Sequence, residues 1–234
     1  MKLPAFRFLL ICLSALFLSV SLAEDLPAVE EAELSSTGEA ILQSAVLSEA
    51  PLPKDANRVF YEIFTGSFSD SNGDGIGDLP GILQRLDYLN DGDPASGLSL
   101  GVEGLWLTPV FQSVSYHKYD VTDYYTIDPD FGTMEDLKAL IQGCHDRGML
   151  LILGLPINHT GSAHRWFKMF SMSRKMDNVL NQYYDYYVCC EEAEKIPGHT
   201  YASLPGTKLY YEANFSSGMP ELNFDCEAVR QEVR

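Results

Sequence analysis

Cysteine is scarce, with five in 234 residues. Cys12 falls inside an apolar leader, which leaves Cys144, Cys189, Cys190 and Cys226. That count and spacing exclude a compact disulfide-stapled scaffold, and no zinc-type spacing is present. The neighbours Cys189 and Cys190 do not bond each other without strain. A bond from Cys226 to either stays open, because export would permit it. Basic residues are also few: 16 Lys and Arg stand against 33 Asp and Glu, a formal charge of −17. A chain of that sign repels nucleic acid and anionic membranes, so neither is an expected partner. It suits a neutral or cationic ligand, or plain solubility. No internal repeat is visible.

One apolar run stands out, Phe8 to Leu22. It is short for a membrane span. Lys2 and Arg7 give it a positive start, and Ser21-Leu22-Ala23 puts small residues at the cleavage-determining positions. Residues 1–23 therefore read as a secretory signal cut after Ala23, giving a secreted, periplasmic or cell-surface protein with no membrane association after cleavage. An uncleaved anchor is the competing reading. Removing the signal takes two bases and no acids, leaving 14 against 33, or −19. Residues 24–57 are acidic and rich in Ala, Ser and Pro, and read as an acidic linker.

The chain beyond residue 57 is expected to be globular, for the whole sequence is 46% hydrophobic and 12% aromatic. Val59-Phe60-Tyr61-Glu62-Ile63-Phe64 predicts a buried strand. A Gly/Asp/Asn loop comes next. Leu79, Ile82, Leu83, Leu86 and Leu89 then recur at helical spacing and predict one helix. Gly104-Leu105-Trp106-Leu107-Thr108 predicts a second strand, ended by Pro109. A long polar-aromatic loop precedes a second helix carrying Leu137, Leu140, Ile141 and Cys144, with Gly148 where its C-terminal cap is wanted. Met149 to Leu153 predicts a third strand. Strands apolar throughout, separated by helices, imply an α/β fold with a parallel sheet buried on both faces. Residues 156–222 break that rhythm with many aromatics and read as an inserted subdomain. Asp225 is a candidate cap for a helix that begins at Cys226 or Glu227 and is still running at the last residue.

Three constellations carry chemistry. The first runs from Asp70 to Asp78 with Gly at 73, 75 and 77. Hard cations want several oxygens around one point, and Asp70, Asn72, Asp74, Asp78 and the Ile76 carbonyl supply them. The loop is similar to the first nine positions of an EF-hand, but Gly81 stands where the bidentate Glu belongs and a strand precedes it. A structural calcium loop outside the helix-loop-helix fold is expected; a solvated acidic turn is the alternative. The second is Ser115-Tyr116-His117-Lys118-Tyr119-Asp120. Sugar sites need a flat ring for C–H faces and polar groups for hydroxyls, and Tyr119, His117 and Asp120 offer both, although Tyr and His also fill loop cores. The third is Asn158-His159-Thr160, directly after the third strand, where barrels and open α/β sheets place their sites.

These segments in this order, with Asp128-Pro129, Phe131-Gly132-Thr133 and Met219-Pro220-Glu221-Leu222-Asn223, resemble glycoside hydrolase family 13, most closely its bacterial α-amylase and oligo-1,6-glucosidase-like branches. The resemblance covers about residues 58–234. It implies a partial (β/α)8 TIM barrel: three strands over residues 58–155, an inserted domain B over 156–222, and the start of the next barrel helix over 223–234. It implies retaining hydrolysis of α-glucosidic bonds in starch-like α-glucans or malto-oligosaccharides, hence carbohydrate metabolism. Two carboxyl groups roughly 5–5.5 Å apart perform that reaction. Tyr119 matches the family's sugar-stacking aromatic. His117 and His159 match histidines that hydrogen-bond the same sugar. Asn158 matches a position tying domain B to the barrel, often through calcium. A monomer is expected at full length.

Two departures stand out. Gly154 occupies the position of a family Asp that helps hold an Arg near the nucleophile. Glu221 replaces the commoner Asp. No Gly-x-Arg-x-Asp nucleophile segment is present, and the one Arg-x-Asp, Arg85-Leu86-Asp87, lies in the first helix. The sequence therefore reads as the amino-terminal part of a secreted α-glucan hydrolase, inactive alone. A catalytically inactive sugar- or calcium-binding remnant is the alternative; a calcium-only module is disfavoured because the loop occurs once.

Overall fold

The computed structural model describes residues 58–234. The leader over 1–23, Cys12 and the acidic linker over 24–57 lie outside the described residues. Strand β1 (Phe60–Ile63) leads into a four-residue helix, α1 (Thr65–Phe68). The Asp70–Asp78 loop comes next, then α2 (Leu79–Gln84) and α3 (Leu86–Leu89). Strand β2 (Gly104–Leu107) and the long helix α4 (Met134–Asp146) precede β5 (Leu150–Leu153). Strands β1, β2 and β5 form a parallel sheet in chain order, with Ile63 opposite Leu107 and Leu107 opposite Leu153. Chain-order neighbours joined by helical crossovers are how a parallel barrel begins.

Helix α4 forms where Thr133 and Asp136 cap each other reciprocally at its start and Gly148, at φ +70°, turns the chain after its end. Its buried face, Leu137, Leu140 and Cys144, meets Leu79, Ile82, Leu86, Leu105 and Leu107 in the first core.

Several expectations need correction. The expected single helix breaks at Arg85, whose ψ of 9° leaves helical geometry and splits it into α2 and α3. Helix α1 stands between β1 and the acidic loop, so a helical turn, not a strand, adjoins it. The stretch read as a polar-aromatic loop holds an antiparallel hairpin, β3 (Phe111–Ser113) with β4 (Val121–Ile127). Its register shifts twice, which erases the alternation by which strands are recognised. All of β5 is half-buried, because it is an edge strand among the described residues; the sheet is not covered on both faces there.

Residues 156–222 carry α5 (Arg165–Lys175), β6 (Cys189–Cys190), β7 (Tyr201–Ser203) and β8 (Tyr210–Glu212). The three strands form an antiparallel sheet ordered β6-β8-β7. Phe167, Phe170, Tyr183, Tyr186, Tyr187, Tyr211 and Leu222 build a second, aromatic core. The last helix, α6 (Glu227–Glu232), is preceded by Cys226 at its cap position with no side-chain bond, so Asp225 is not the cap. It ends at Glu232, before the last residue, and sends Val229 into the second core. All four described cysteines are free, so Cys226 pairs with neither Cys189 nor Cys190.

Candidate functional site

The sugar-type residues lie on two segments, the turn between β3 and β4 and the stretch that follows β5. Between β3 and β4 the chain makes a tight turn, with the Lys118 amide donating to the Ser115 carbonyl (3.3 Å). The Ser115 hydroxyl and amide both donate to one Asp120 carboxylate oxygen, which buries Asp120 under the loop. The Tyr119 amide donates to His117 Nδ1 (3.1 Å), so that nitrogen is an acceptor and the ring proton sits on Nε2. His117 thus keeps an N–H donor for a hydroxyl. Its ring lies 5.6 Å from Tyr116 and 5.9 Å from Tyr119, and Tyr119 is 43% exposed.

His159 arrives from the other side. Three residues on from Pro156 it reaches the turn, where its Nε2 donates to the Tyr119 carbonyl (3.1 Å). A carbonyl only accepts, so Nε2 carries a proton; Asn158 Nδ2, which only donates, lies 3.4 Å from Nδ1 and makes that nitrogen the acceptor of a neutral ring. Burial holds its pKa below the usual imidazole range, against the opposing pull of the Tyr119 carbonyl and the Asp120 charge. As placed, His159 braces the loop; its N–H is already engaged. Its ring faces Phe215, 5.1 Å away and 57% exposed. The chain comes this close because of Gly161: a Cβ there would lie 2.3 Å from the Asp120 carbonyl. Gly161 instead donates to the Val121 carbonyl (2.7 Å).

Asn158 ties the sheet to the inserted unit. Its amide donates to Glu221 (2.6 Å), its carbonyl accepts from the Leu222 amide (2.9 Å), and His159 bridges Glu221. Asn214 links Glu221 onward to Glu212, which pairs with His199. Burial first, and the neighbouring Glu212 charge, raise the Glu221 pKa despite the two amide donors.

The acidic loop stands apart from this cluster. Asp70 accepts amides from Asn72, Gly73 and Gly75, which hold its carboxyl below the usual range. Asp74 accepts from Ile76, and Asn72 from Asp74. Asp78 caps α2 through the Gly81 amide (2.6 Å) and also takes the Ser71 hydroxyl. The donor chemistry, four side chains and the Ile76 carbonyl, fits a hard cation. As folded, the carboxylates serve backbone amides, and no three acidic, His or Cys side chains are gathered for a metal among the described residues.

The structure thus brings Tyr119, His117, Asp120, His159 and Asn158 into one site and leaves Asp70–Asp78 as a separate loop. Sequence reasoning did not single out Ser115, Lys118 or Phe215. Ser115 and Lys118 lie within the quoted motif, but their roles need the turn geometry.

The family model described as alpha amylase, catalytic domain, matches residues 62–234. The chain belongs to that family. It is 45% identical over 179 residues to Alpha-amylase 3 of Dictyoglomus thermophilum, covering 76% of this chain and 33% of that protein. It is 42% identical over 185 residues to an oligo-1,6-glucosidase of Bacillus cereus, covering 75% and 31%. The solved α-amylase of H. orenii superposes with a TM-score of 0.69 at 45% identity, over 76% of this chain and 36% of that one. The chain therefore spans about a third of the length of the curated relatives it matches, and its three-stranded parallel sheet is part of a TIM barrel.

Proposed function

We propose that this chain supplies the ring platform of an α-glucan site in a retaining glycoside hydrolase. The carrying observation is the 3.1 Å bond from His159 Nε2 to the Tyr119 carbonyl, which joins the third-strand end to the aromatic loop. Tyr119 presents a half-exposed ring for a sugar C–H face, and His117 Nε2–H points a donor for a hydroxyl. Asp120, buried beneath, fixes the turn. Relatives named α-amylase, oligo-1,6-glucosidase and glucan 1,6-alpha-glucosidase support an α-glucan or malto-oligosaccharide as substrate. No nucleophile or general acid is assigned within residues 58–234, so the two carboxyl groups of the reaction are expected elsewhere in the whole protein, a secreted monomer.

Calcium is the proposed ion of the Asp70–Asp78 loop, held by Asp70, Asn72, Asp74, Asp78 and the Ile76 carbonyl. When bound it would neutralise clustered carboxylates and stiffen the loop. The order of donors and the glycine spacing support this.

The direct test is calorimetric titration of the 234-residue chain with maltotriose, with a starch assay alongside. Saturable binding with a Kd of roughly 1 mM or tighter is expected, weakened about tenfold by Tyr119→Ala. Starch turnover should equal the buffer control. Absence of saturable binding would remove the glucan reading, and turnover would place the cleaving acids within this chain.

A further inference from the structure

Lys118 sits between the two side chains that the glucan reading needs, and its surroundings are unusual on three counts. Its φ is +63°, one of two non-glycine residues with a positive φ among the described residues. Lysine is disfavoured there, because its Cβ crowds the backbone. Its side chain is buried, with the residue 4% exposed, where lysine is almost never found unless paired. It is paired: Nζ lies 2.9 Å from Asp128 Oδ1 and 3.2 Å from Asp130 Oδ2, and 5.2 Å from the centre of the Phe131 ring.

The partners are themselves fixed. Asp128 Oδ2 accepts the Ser113 amide and Oδ1 the Asp130 amide, so both oxygens of the buried carboxylate are engaged. The Phe131 carbonyl accepts the Leu79 amide at the start of α2 (2.9 Å). The tip of the β3–β4 hairpin is thus bolted through one ammonium group to the turn after β4 and onward to the first core.

The left-handed step at 118 has a consequence for its neighbours. It reverses the chain within one residue, letting the Tyr119 amide fold back onto His117 Nδ1 while the Tyr119 carbonyl faces His159. A right-handed or extended residue there would turn that carbonyl away. We propose that Lys118 is a positioning residue of the sugar platform: its buried ion pair holds a left-handed turn that sets Tyr119 and His117 against His159. This rests on the glucan reading only for its functional meaning; the geometric part stands on its own readout.

The test uses the 234-residue chain and three variants, Lys118→Met, Lys118→Gly and Lys118→Arg. Nitrogen NMR of the His159 ring, without ligand, reports the Nε2–H donation to Tyr119; maltotriose titration reports the platform. Lys118→Met should lose the donated His159 signal and weaken binding about tenfold while still unfolding cooperatively. Lys118→Gly accepts a positive φ and folds even where methionine does not; lacking the ion pair, it should broaden the His159 signal and weaken binding about threefold or more. Lys118→Arg keeps the charge and should restore both readouts. An unchanged His159 signal and unchanged affinity in the methionine and glycine variants would overturn the proposal, as would failure of arginine to rescue. If the parent chain binds no maltotriose, the glucan reading falls, and the His159 signal alone still decides whether Lys118 sets the turn.

Discussion

At the residue scale, His164 shows how one ring can carry local and distant duties. Its Nδ1 accepts the Trp166 amide (3.1 Å) and so caps α5. Its ring also packs against Trp166 and, 5.8 Å away, against Tyr124 of the hairpin. Burial pushes its pKa down to about 4; Asp123 opposes this and Lys168 adds slightly. The unfolded chain holds that proton up to about pH 6.5. Between those values the unfolded state binds more protons, so stability is complete above pH 6.5 and falls as pH drops toward 4. The loss is up to about 3 kcal/mol. His164→Asn keeps a capping side chain without the titration. Urea unfolding at pH 7 and pH 4.5 should show a smaller acid loss in the variant; equal losses would count against the assignment. Nothing in the sequence marks His164, because its burial depends on a tyrosine forty positions earlier. Gly154 is the opposite case. Its departure from the family Asp is visible in the sequence, but its setting is not. A Cβ there would stand 3.1 Å from the Leu107 carbonyl and from Pro109 Cδ, so a carboxylate could enter only if the Leu107 carbonyl and Pro109 both gave way by a few tenths of an ångström.

At the element scale, the elements most legible in the sequence are those with local causes. Helix α4 has its reciprocal cap, its apolar face and its terminating glycine within 16 residues, from Thr133 to Gly148. The β3–β4 hairpin has none of these. Its strands pair through a register that shifts at Phe111 and Gln112, and its tip is held by an ion pair to Asp128. The Asp70–Asp78 loop lies between these cases: its donors are plain in sequence, but their present partners are amides of the same loop. Bound calcium would stabilise the folded chain alone. Adding millimolar calcium to chelator-treated protein should raise the midpoint of thermal unfolding by several degrees. Asp74→Asn should reduce that rise. A midpoint indifferent to calcium would leave the loop a solvated turn.

At the scale of the whole molecule, the parallel sheet draws on the first core unevenly. The first core takes Ile63, Leu105 and Leu107 from β1 and β2, with Leu151 and Leu153 of β5 packed against it, yet β5 stays half-buried and unpaired on one side among the described residues. An apolar edge strand is a template for association. The 234-residue chain is expected to elute with light-scattering masses above 26.1 kDa. A monodisperse monomer would show that the edge is protected. The sequence by itself determined the three parallel strands and helix α4, since apolar period and turn chemistry act over a few neighbours; it marked neither the break at Arg85 nor helices α1 and α5. It also determined the residue types of the sugar platform and their order. Only the tertiary structure decided that His159 braces Tyr119, that Lys118 is buried in a left-handed turn, and that Asn158 reaches Glu221. Those contacts join positions 10 to 63 apart, and no local pattern encodes a pairing whose energy exists only once both partners are held in place.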